Sequence, residues 1–158
     1  LLYERFPQCT LIQGNHCVLS ARQAQAAGIP PEYLVDFKSL WGIEKWNVIP
    51  RFGFTEIDGV RYEHGDAGCG GQFGAVKTSR VRFQSTVSAH LHSQFGCWYT
   101  ANGKDLIFGC NVGWGGDYKK LQFEYSRSHV HKPIVGCAVI IDGHPICIPM
   151  PMKNRRVL

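Results

Sequence analysis

Three dipeptides, Asp58-Gly59, Asn102-Gly103 and Asp142-Gly143, each stand between two short runs of apolar and β-branched residues. Tight hairpin turns need such pairs, because both central residues take positive φ and Gly, Asn and Asp tolerate it. The chain therefore reads as hairpins over 52–64, 96–110 and 134–148. Helical signals lie between and before them. A helix is predicted over 21–27, capped by Ser20 and closed by Gly28. Beyond Pro30-Pro31, the positions Tyr33, Leu34, Phe37, Leu40 and Trp41 fall at i, i+1, i+4, i+7 and i+8. They predict an amphipathic helix packed on the core. Residues 75–83 predict a third helix with a basic face of Lys77, Arg80 and Arg82. Leu11-Ile12-Gln13 reads as a buried strand. Short helices among hairpins imply an α/β chain of stacked sheets flanked by helices. With no internal repeat or linker, 1–158 reads as a single domain.

Composition narrows the function classes. A hydrophobic fraction of 44% with 18% charged residues can build a globular core. No apolar run approaches the ~20 residues of a membrane span, and no signal-peptide pattern opens the chain. The seven cysteines are odd in number and contain no Cys-x-x-Cys, against both a disulfide framework and a zinc ribbon. Cys97, Cys110, Cys137 and Cys147 lie in apolar strand-like runs, where cysteine acts as a small hydrophobe. A reducing, cytoplasmic setting is expected. The net charge of +5 is mild and scattered, apart from the tail Lys153-Asn154-Arg155-Arg156. It favours a phosphorylated or nucleic-acid partner only weakly.

The chemistry centres on 86–93, where Val87, Ala89 and Leu91 alternate with Ser88, His90 and His92. Period two predicts a strand with both imidazoles on one face, about 7 Å apart. So placed, they can share one ion or serve two ions roughly 3.5–4 Å apart. Gln94-Phe95-Gly96 suggests that the strand runs out there, as sites in α/β folds do. Two further signals follow apolar strands: Gly14-Asn15-His16 and His64-Gly65-Asp66. The second leads into a glycine-rich loop over 67–74, readable as a phosphate cradle or as a connector.

In this order, Gly14-Asn15-His16, His64-Gly65 and Ala89-His90-Leu91-His92 resemble the later motifs of the calcineurin-like metallophosphoesterases. Those motifs are Gly-Asn-His followed by an acid, a lone His often before Gly, and Gly-His-x-His. The resemblance spans the chain from Gly14 onward. It implies a β-sandwich of two mixed sheets flanked by helices, and two divalent ions drawn from Mn, Zn, Fe or Ni. It further implies Asn15, His64 and His90 as ligands of one ion, His92 as a ligand of the other, and His16 as the group beside the leaving oxygen. The implied reaction is hydrolysis of phosphate esters, in which two cations clamp the phosphoryl group and activate a water.

The departures are specific. The family's Asp-x-His and Gly-Asp-x-x-Asp motifs should precede Gly14 by tens of residues, and only 13 residues stand there. The chain is therefore expected to be the family's C-terminal portion, N-terminally truncated, binding metal poorly alone. Strands left without neighbours would give an exposed edge for association. Asp142-Gly143-His144 spells Asp-x-His but fits a hairpin turn better, and His129-Val130-His131 reads as a surface loop. Cys17 stands where the family has an acid, and Ala89 where it has Gly. A cysteine hydrolase built on Cys17 is disfavoured, because His16, its neighbour, points to the opposite side of an extended chain. Trp98, Tyr99, Trp114 and Tyr118 read either as core or rim residues that need no ligand or as a base-stacking set, which would favour a nucleotide or nucleic-acid substrate. The remaining alternative is a non-catalytic, truncated or degenerate module that binds a partner or nucleic acid.

Overall fold

At Asp58 and Gly59, φ is +52° and +74°, and at Asp142 and Gly143 it is +49° and +75°. Both Asp-Gly pairs therefore make the turns their chemistry requires. The computed structural model describes residues 2–116 and 130–150, and the chain divides into two compact units, 1–54 and 55–158. Tyr118, His129 and the basic tail lie outside the described residues.

The first unit opens with α1 (Leu2–Arg5) and holds a two-stranded parallel sheet of β1 (Thr10–Ile12) and β2 (Asn47–Ile49). Leu11 and Ile12 are half-buried rather than interior. Helix α2 (Leu19–Ala26) begins one residue before Ser20, with no side-chain cap, so Ser20 lies inside the helix. Gly28 closes it at φ +73°. The predicted helix over 33–41 is broken in two. A 3₁₀ turn spans Pro31–Tyr33, Leu34 is extended, and α3 runs only over Phe37–Trp41. The cause is Asp36, whose carboxylate accepts from the Lys38 and Ser39 N–H groups at 3.0 and 3.2 Å. That is an N-cap, and it starts a new helix in place of continuing the old one. The expected apolar face does not pack: Tyr33, Leu40 and Trp41 are exposed. Ile43 and Trp46 are buried instead, with the Trp46 indole donating to the Phe6 carbonyl at 2.7 Å.

The second unit is built on a five-stranded mixed sheet in the order β3-β4-β5-β7-β6. Its strands are β3 (Phe54–Ile57, whose first residue is the last of the first unit), β4 (Val60–Glu63), β5 (Thr86–Ser88), β6 (Gly96–Ala101) and β7 (Leu106–Asn111). Strands β4, β5 and β7 are mutually parallel, and β6 returns antiparallel to β7. The general α/β class read from the sequence holds. Helix α4 (Gly74–Arg82), as predicted, joins β4 to β5, and its Ala75 and Val76 are buried.

Alternation along β7 sends its residues to two faces. On one face Gly109 lies so close to α4 that a Cβ there would run into the Val76 backbone. On the other, Phe108 and Cys110 join Val60 and Val87 in the core. Ala138, Ile140 and Cys147 pack against that core. They come from the hairpin of β8 (Gly136–Ile141) and β9 (His144–Pro149). Helix, sheet and hairpin thus form three layers, and central β5 is buried along its whole length. The opposite face of the hairpin presents Val139, Ile141, Ile146 and Ile148 to the exterior.

Candidate functional site

The parallel strands β4 and β5 end level with each other, Glu63 beside Ser88. The pairing extends one step further through the Ala89 N–H, which donates to the His64 carbonyl at 3.0 Å. His64 and His90 therefore leave the C-terminal ends of neighbouring strands, the edge of an α/β sheet where sites form. Their rings meet edge to face, with centroids 5.2 Å apart and planes inclined by 66°.

The strand predicted through His92 stops at Ser88. His90 takes φ +56°, and the Leu91 N–H turns back to the Ala89 carbonyl at 2.5 Å. A three-residue turn with positive φ at its centre is the rarer, strained form, costing a non-glycine residue about 1 kcal/mol. The two imidazoles of 90 and 92 consequently do not share a strand face. His92 lies beside Trp114 instead, ring centroids 6.3 Å apart.

Two features hold the His90 turn. Asn111, fully buried at the end of β7, donates from Nδ2 to the Ala89 carbonyl at 3.0 Å and accepts the Gly113 N–H on Oδ1 at 3.1 Å. Gly65, at φ +107°, lets the loop after His64 pass close by. A Cβ on it would stand 3.1 Å from the Ser88 Cβ and 3.5 Å from the His90 Cβ. Both the backbone angle and the space select glycine here.

The glycine-rich loop is pinned at three points. The Cys69 N–H donates to the Thr78 hydroxyl at 2.8 Å. The Gln94 amide donates to the Gly71 carbonyl at 2.8 Å and accepts the Phe73 N–H at 3.0 Å. Next to His64 in the chain, the Glu63 carboxylate is nearly buried, and its Oε2 is shared by Arg61 and Arg82. Its Oε1 is buried with no hydrogen-bond partner among the described residues.

Sequence reasoning did not single out Asn111, Gln94 or Glu63 as supports. Asn111 had a visible signal, a polar residue closing an apolar strand just before Gly113. The roles of Gln94 and Glu63 depend on partners some 20 residues away and leave no local trace.

The other expected residues fall as follows. Asn15, half-buried, and His16, exposed, occupy the turn between β1 and α2 in the first unit. Asp142 makes its hairpin turn while His144 lies exposed in β9. His131 is exposed. Of the proposed stacking aromatics, Trp98 packs edge-on against Phe73 and Tyr99 against Phe108.

For a metal, two imidazoles edge to face fit as two donors to a borderline ion such as Zn, Mn, Fe or Ni. Among the described residues, no three His, Cys, Asp or Glu side chains gather to hold an ion. The pair thus fits part of a coordination shell, and that donor set does not complete it. Compared with models of known protein families and with curated proteins, the chain matches none. Among the described residues, no helix is long and apolar enough to cross a membrane.

Proposed function

We propose that this chain is part of a calcineurin-like metallophosphoesterase, and that its second unit carries half of the metal centre. The observation that supports the reading is the meeting of His64 and His90 at the ends of adjacent parallel strands. Two of the three sequence signals thereby come together, in a mixed sheet with a second sheet layered on it, the arrangement expected of that family's β-sandwich. On this reading His64 and His90 bind one divalent ion as neutral imidazoles, and His92 belongs to a second. A bound ion pair would supply positive charge to a phosphate ester and acidify a water. Asn111 is a positioning residue, because it fixes the Ala89 carbonyl and with it the turn that aims His90. Gly65 keeps the loop close enough for His64 to face that ring.

The test is elemental analysis after loading with Mn²⁺ or Zn²⁺, with His64→Ala and His90→Ala as controls. About one retained ion per chain, lost in both variants, is expected. A folded wild-type protein that retains none, or variants that retain as much, would overturn the proposal.

A second reading has its own support in the incomplete donor set among the described residues. On it, the chain is a non-catalytic module of the same fold. Metal retention without hydrolysis of an aryl phosphate would favour it.

A further inference from the structure

Three thiols converge where the five-stranded sheet meets the β8–β9 hairpin, apart from the histidines. Cys97 on β6 and Cys110 on β7 are directly opposed in the antiparallel ladder. Such pairs have Cα atoms roughly 4.5–5.5 Å apart, within the span a disulfide bridges. Both side chains belong to the core face. From the hairpin, the Cys147 sulfur comes within 3.7 Å of that of Cys110.

The three differ in access and in chemistry. Cys110 is fully buried, while Cys97, on the outermost strand, and Cys147 are partly exposed. The neighbouring Cys110 thiol holds the Cys97 thiol below its usual range. Cys110, through its neighbour Cys97 and by burial, is pushed far up, and Cys147 is raised by burial. The thiolate is the reacting form, so one partly exposed thiol is primed beside a protonated neighbour.

We propose that Cys97 and Cys110 are an oxidation site for hydroperoxides, in which Cys97 is oxidised first and Cys110 closes a disulfide across β6 and β7. The Cys97 thiolate attacks the distal oxygen of the hydroperoxide. The O–O bond breaks, the alkoxide leaves and takes up a proton as the alcohol (water, from hydrogen peroxide), and the sulfur becomes a sulfenic acid. The Cys110 sulfur then attacks the Cys97 sulfur. An S–S bond forms, the S–O bond breaks, and hydroxide leaves with the Cys110 proton as water. Two thiols and one hydroperoxide thus give one disulfide, one alcohol and one water.

The experiment treats the fully reduced chain with hydrogen peroxide, then blocks remaining thiols and maps peptides without reduction. A Cys97–Cys110 linkage within one chain is expected, reversed by dithiothreitol. In Cys110→Ala, the Cys97 sulfenic acid loses its resolving thiol, and its dimedone adduct should rise several-fold over wild type. The proposal is overturned if Cys97 and Cys110 both stay alkylatable, if Cys110 links to Cys147 instead, or if dimedone labels Cys147 and spares Cys97. The wild-type map decides alone should the variant fail to fold.

Discussion

The two units carry similar stretches of apolar sequence and use them differently. In the second, Val60, Val76, Val87, Phe108 and Cys110 are buried, because a sheet offers one face to a helix and the other to a hairpin. In the first, Tyr33, Leu34, Leu40 and Trp41 have the spacing of a buried face and are exposed. Its sheet has two strands, and Ile43 and Trp46 are the buried hydrophobic residues among those described there. An amphipathic pattern states which residues share a side. Whether that side is covered depends on the area of the surface opposite, which periodicity does not encode.

Substitutions can break this contrast. Phe108→Ala should show the largest effect, a loss of about 3–5 kcal/mol in urea unfolding, because the vacated space lies between two packed layers. A cost below about 1 kcal/mol would mean that the second unit is packed no better than the first. Asn111→Ala should cost about 2 kcal/mol by leaving buried polar groups without their partner. It should also weaken Mn²⁺ or Zn²⁺ retention with His64 and His90 intact. Unchanged retention would remove Asn111 as a positioning residue. Asp36→Ala should cost about 1 kcal/mol through the lost cap, seen as faster amide exchange confined to 37–41. Trp41→Ala should fall within about 0.5 kcal/mol of wild type, as for an exposed side chain. A loss of 2 kcal/mol or more would show that this face is covered after all.

The readable parts of the sequence were those fixed by local chemistry. Positive φ has few tolerant residues, so Asp58-Gly59 and Asp142-Gly143 located two hairpins; Asn102-Gly103 located the third without positive φ, through the Asn102 side chain accepting the Lys104 and Asp105 N–H groups. The strand through His90 was misread because Val87, Ala89 and Leu91 keep alternating after the ladder has ended. What ends it is a turn held by Asn111, 22 residues further along the chain. The helix over 33–41 failed for a local reason that was open to inspection: Asp36 stands three residues before Ser39 and caps a new start. The Glu63 cluster is again nonlocal, since Arg82 reaches it from the far end of α4.

Gly65 also bears on how this region can change. An added methyl would meet Ser88 and His90 together, on a backbone angle that L side chains avoid. Any side chain at position 65 is therefore strained by its backbone angle, and Ser88 must also give way to it. A combinatorial library over the loop that follows His64 can vary 66 and 67 and should hold 65 constant. A library that randomises it places backbone strain beside both histidines in every member that loses the glycine.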